Sequence, residues 1–103
     1  MKSPFTTKVI EIIAAIPAGK VSTYGIIAAH ANNRSGARQV ARILHSSSAK
    51  YDLPWHRVVN RNGQISLKHG HGYENQMRML LEEGVEFDDR ERIDFSKYLW
   101  WPR

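Results

Sequence analysis

The sequence predicts one α/β domain, mostly helical with a small sheet, and three of its features carry that expectation. Apolar residues recur at helical spacing from Val9 to Ile16 and again from Met77 to Leu81. Two short segments, "TYGIIAAHA" and "SGARQVARILHSS", are joined by a polar turn of three or four residues, the pattern of a helix-turn-helix over about residues 22–46. The stretch "WHRVVNRNGQIS" sets β-branched residues ahead of Asn62-Gly63, a strong signal for a short hairpin. With 103 residues the chain is long enough to remove roughly two-thirds of its unfolded surface from water. A single domain over residues 1–103 is therefore expected, with no staple required.

Each element has a local reason. Ser3 can cap a helix whose first position is Pro4, and the run Val9, Ile10, Ile12, Ile13, Ile16 extends it from about Pro4 to Ile16. "IPAGKVST" is a break followed by a short extended piece, after which Ser22 or Thr23 caps a second helix that ends at Asn32-Asn33. Ser35 is the expected cap of the third helix. There Arg38 and Arg42, four apart, share one face, while Val40, Ile43 and Leu44 occupy another, so one face packs and the other meets phosphate. "SSSAKYDLP" reads as a loop, and "LKHGHG" as a second one punctuated by glycine. "YENQMRMLLEEG" is an amphipathic helix with Met77, Leu80 and Leu81 inward and Gly84 as its stop. From Glu82 to Asp94 seven acids and two arginines give a solvent-facing stretch before the aromatic "YLWWP".

Composition narrows the chemistry. The chain has no cysteine, which excludes disulfides, thiolate metal sites and a cysteine nucleophile. Its apolar N-terminal run is broken by Lys8, Glu11 and Pro17, too short and too charged for a signal peptide or a membrane span, so a cytoplasmic protein is expected, at the nucleoid in a bacterial cell. The net charge of +5 is uneven: residues 1–50 hold seven Lys/Arg and one acid, residues 51–103 eight and nine, giving +6 and −1. Such asymmetry points the first half at a polyanion, most often nucleic acid. His69 and His71 in "HGH", with His56, lack a nearby acid and make only a weak metal signal, and no cofactor is implied.

Taken in order, "IPAGKVSTYG", "GAR" on the third helix, "PWHRVV", the Asn-Gly turn, the glycine loop and "LLEEG" resemble the C-terminal domain of the O6-alkylguanine-DNA alkyltransferases. The resemblance runs from about Phe5 to Gly84 and implies that family's winged-helix-like helix-turn-helix fold. The family's reactive loop reads Pro-Cys-His-Arg-Val, and here Trp55 takes the cysteine position, the mark of the non-catalytic alkyltransferase-like proteins. Displacement at an alkyl carbon needs an anionic, polarisable acceptor, which a thiolate is and an indole is not. The resemblance thus implies a protein that binds O6-alkylguanine in double-stranded DNA, transfers nothing, and hands the lesion to nucleotide excision repair proteins. A monomer without membrane association is expected.

Carried over residue by residue, the resemblance places Tyr24, Trp55, His56, Arg57, Val58 and Lys68 at the lesion pocket, in a loop of about residues 53–72. It sets Tyr24, Ser35, Gly36, Ala37, Arg38, Gln39 and Arg42 against DNA, with the third helix in the minor groove. Tyr24 would rotate the nucleotide out, and Arg38 would fill the stack it leaves. His56 would pair with Glu83, a relay left with nothing to deprotonate. Two positions depart from the family: Lys68 stands where a tyrosine is usual, and Ser47 near the place of a bracing asparagine. Two other functions compete, a sequence-specific regulator reading the major groove with Arg38, Gln39 and Arg42, and an enzyme, either an alkyltransferase with an unusual acceptor or a glycosylase.

Overall fold

In the computed structural model, which describes residues 3–102, five helices and a two-stranded sheet pack around two apolar clusters. Lys2, one of the first-half cations, lies outside the described residues, as do Met1 and Arg103. Helix α1 (Pro4–Ala14) starts as the sequence predicts, with the Ser3 hydroxyl accepting from the Thr6 amide at 3.1 Å and proline in the first turn. It ends two residues before Ile16. A residue preceding proline is pushed out of helical backbone, and Pro17 does this to Ile16, which instead buries its side chain in the core.

Strand β1 (Ser22–Thr23) leads straight into α2 (Tyr24–His30), capped by the Thr23 hydroxyl on the Ile26 amide. Helix α3 (Ala37–Tyr51) then runs four residues past the expected end. The serines do not break it, because the Ser46 and Ser48 hydroxyls bond back to the carbonyls of Ile43 and Leu44. It stops at Asp52, left-handed at φ 51°, with the Leu53 amide on the Ser48 carbonyl at 2.9 Å. A 3₁₀ turn (Trp55–Arg57) follows, then strand β2 (Val58–Val59), α4 (Tyr73–Glu82) and α5 (Phe95–Tyr98).

The sheet corrects the expected hairpin. β1 and β2 are parallel, Ser22 opposite Val58 and Thr23 opposite Val59, with α2 and α3 forming the crossover that a parallel pair needs. A turn does form at residues 60–64, where the Asn60 side-chain oxygen accepts from the Asn62 and Gln64 amides. No second arm pairs with β2, since the Gln76 side-chain amide holds the carbonyls of His56 and Val58 at 3.0 and 3.1 Å. Gly63 is left-handed at φ 75°, and a Cβ there would lie 2.7 Å from the Ile93 carbonyl oxygen. Only glycine lets the two backbones meet.

The core has two parts. α1, α2 and α3 bury Val9, Ile13, Ile27 and Val40 together, while Val21, Val59, Leu80, Val85 and Ile93 form a second cluster around the sheet. On α4 the inward residues are Tyr73, Gln76 and Leu80; Met77 is half-buried and Leu81, expected inside, is 52% exposed. The acids of residues 82–94 are exposed as expected, apart from half-buried Glu83. The C-terminal stretch straps β1. The Val21 amide donates to Tyr98 O at 2.9 Å, the Trp100 amide donates to Val21 O at 2.8 Å, and Trp100 packs on the first cluster.

Candidate functional site

The turn from Pro54 to Arg57 is held by one carboxylate. Glu83, the C-terminal cap of α4, accepts from His56 Nε2 at 2.8 Å, from Arg57 Nη2 at 2.6 Å and from the Gly19 amide at 3.1 Å. Arg57 Nε adds bonds at 3.0 and 3.2 Å to the two oxygens, and Nη1 donates to the Ile16 carbonyl at 2.8 Å. Led by the Arg57 guanidinium, these donors hold the Glu83 carboxyl down to about 2. The pairing of His56 with Glu83 thus persists, and the clamp ties the end of α1, the Gly19 loop, the 3₁₀ turn and α4 into one body.

That clamp changes what three of the predicted pocket residues do. The Arg57 guanidinium is turned inward onto Glu83 and Ile16, Val58 is buried in the core, and His56 is 6% exposed. They support the turn. Trp55 and Tyr24 remain as the half-buried aromatics, both packed against the first cluster. Burial lifts the Tyr24 phenol above its usual range, and the Ser66 hydroxyl beside it works the other way. The loop after β2 therefore reaches Tyr24. Lys68, farther along that loop, is exposed. Next to it His69 stacks on Tyr73 with centroids 4.0 Å apart and pairs with Glu74, which also accepts from the Gly70 amide at 2.9 Å.

The helix-turn-helix presents the other predicted set. Ser35 does not cap α3: its amide donates to the Asn33 side-chain oxygen at 3.2 Å, and Gly36 is the cap, without any side-chain bond. A Cβ on Gly36 would lie 2.9 Å from the Phe5 ring and 3.1 Å from the Asn33 carbonyl oxygen, so glycine is what lets the turn seat against α1. The first turn of α3, at Ala37, Arg38 and Gln39, therefore carries no side-chain cap. Arg38, Gln39 and Arg42 are exposed, and among the described residues Arg34, Arg38 and Arg42 form no ion pair with an acid. This face is a positive surface with oriented donors, suited to a phosphate backbone.

Two supports escaped the sequence reading. Gln76 was legible from spacing, since it lies three after Tyr73 and four before Leu80 on the inner face of α4, but its carbonyl partners were not. The Arg57 fork left no signal in sequence. Among the described residues no group of three His, Cys, Asp or Glu side chains could hold a metal ion, and no helix is long and apolar enough to cross a membrane.

A family model described as "6-O-methylguanine DNA methyltransferase, DNA binding domain" matches residues 4–85. A DNA base-flipping protein of Escherichia coli (strain K12) is 45% identical over 96 residues, which cover 93% of this chain and 74% of that protein. Alkyltransferase-like protein 1 of Schizosaccharomyces pombe is 39% identical over 103 residues, covering 95% of each chain. The crystal structure of S. pombe Atl1 in complex with damaged DNA containing O6-carboxymethylguanine superposes with a TM-score of 0.82 at 38% identity, over 99% of this chain and 100% of that one. The chain carries no cysteine to accept an alkyl group. Matched over most of its length and lacking that acceptor, the chain belongs to the family of the 6-O-methylguanine DNA methyltransferase DNA-binding domain, as an alkyltransferase-like member with Trp55 at the place of the reactive cysteine.

Proposed function

We propose that the protein binds duplex DNA at O6-alkylguanine, docks α3 in the minor groove, flips the damaged base toward Trp55 and Tyr24, and leaves the alkyl group in place. The observation that carries this reading is the pairing of a half-buried aromatic turn with a basic helix start that has no side-chain cap: Trp55 and Tyr24 lean on the same cluster that α3 packs against. Losing the stacking and pairing of one base costs a few kcal/mol, and aromatic contact returns roughly 1–3 kcal/mol. Arg38 fills the hole in the stack, and the first amides of α3 with Arg42 hold the phosphates. Lys68, on the exposed loop, lies beside the base and favours electron-rich purines. Since the lesion survives binding, a monomer that marks it for excision repair proteins, in the cytoplasm and at the nucleoid of a bacterial cell, completes the reading.

A fluorescent adenine analogue set beside one O6-methylguanine reports the flipping. Its emission should rise as the parent protein saturates the duplex, and Arg38→Ala should blunt the rise and weaken binding by about 1–3 kcal/mol with folding untouched. A saturated complex without any change in emission would overturn the flipping step.

A further inference from the structure

A cleft of about 500 Å³ lies along α4, and it shares no residue with Tyr24, with Trp55 or with the Ser35–Arg42 surface. Its wall is apolar, built from Tyr73, Met77 and Leu81, and Leu81 is 52% exposed. Its rim is acidic. Glu74, Glu82 and Glu91 stand around it, Glu82 paired with Arg78 at 2.9 Å, Glu74 with His69 at 3.1 Å, and Glu91 accepting from the Tyr73 hydroxyl. The segment that follows adds exposed Glu86, Asp88 and Asp89. The exposed apolar patch is small, so an occupant would be anchored by one side chain and not by a broad face. The acidic rim disfavours a nucleic acid backbone there.

We propose that this cleft docks a protein partner through a segment that offers an aliphatic or aromatic side chain flanked by lysine or arginine. The anchor enters between Met77 and Leu81, and the flanking cations meet Glu74, Glu82 and Glu91. A short apolar anchor with a charged rim is the usual economy of such interfaces, where the centre supplies affinity and the rim supplies selection and rate. The inference is independent of DNA binding, since none of the residues it uses belongs to the DNA-facing set. It gives the acidic stretch at and after α4 a role that the basic α3 surface does not cover.

The test is selection from a random displayed peptide library on the immobilised full chain, followed by affinity measurement of the enriched peptides against the parent and Leu81→Lys. Leu81 is too exposed for this change to threaten the fold, and lesion-duplex binding by the variant is measured alongside to show that the rest of the surface is unaltered. Enriched peptides should carry an apolar residue between cations, lose at least about tenfold in affinity for Leu81→Lys, and weaken as salt is raised. Peptides that bind parent and variant alike, enrichment of acidic peptides, or no enrichment over the variant would overturn the proposal. Parent chains that associate with one another through this face in sedimentation would also overturn it, by making the occupant a second copy.

Discussion

Glu83 is the residue on which the lesion turn rests. Its carboxyl is held from an ordinary 4.5 down to about 2, chiefly by Arg57, so its contribution to stability is complete above 4.5 and is lost as pH falls through about 2. Urea unfolding across that window should show falling stability in the parent and a shallower fall in Glu83→Gln, which at neutral pH should be less stable by about 1–3 kcal/mol. An unchanged pH profile would remove Glu83 as the clamp. The same geometry bears on Trp55→Cys. His56 still pairs with Glu83, but Ser47 and Lys68 depart from the family's pocket, so a new thiol should receive little or no methyl group from labelled duplex. Misplacement also counts: an error of about 1 Å in near-attack geometry costs about 10²-fold. Rapid stoichiometric labelling of the variant would show that only the nucleophile was missing.

At the scale of elements, the start of α3 is where sequence and close packing meet. Gly36→Ala would press a methyl group on the Phe5 ring and on the Asn33 carbonyl, and the second of these is backbone that has to move. Thermal unfolding should show a loss of about 1–3 kcal/mol, with weaker duplex binding because the Arg38 end of α3 is displaced. Here the sequence was informative: "GAR", the Ser3-Pro4 start and the Thr23 cap are local signals, and local signals survive without tertiary knowledge. What failed depended on distant partners. The expected hairpin gave way because Gln76, from α4, occupies the carbonyls its second arm would have used. Arg57 came to the pocket through the resemblance of its loop, and its fork onto Glu83, 26 residues on, had no local signal. The C-terminal strap was equally silent, since the pairing of Val21 with Leu99 joins segments far apart in the chain.

Over the whole molecule, charge is divided between the basic α3 surface and the acidic stretch from Glu82 to Asp94. Each phosphate neutralised contributes about 0.9 to the slope of log affinity against log salt. Arg42→Ala should therefore lower that slope by about 1 and weaken lesion-bearing and undamaged duplex alike, as expected of a backbone contact. A loss confined to the lesion duplex would move Arg42 into the pocket instead.

The account stands or falls on selective binding without chemistry, and one measurement addresses both halves. Matched duplexes that differ only by a single O6-methylguanine are titrated with the protein at one salt concentration, and the lesion is quantified in the same samples after long incubation. The account predicts tighter binding to the damaged duplex and full recovery of the O6-methylguanine. Equal affinity for the two duplexes would contradict it in favour of a sequence reader, and disappearance of the lesion would contradict it in favour of an enzyme.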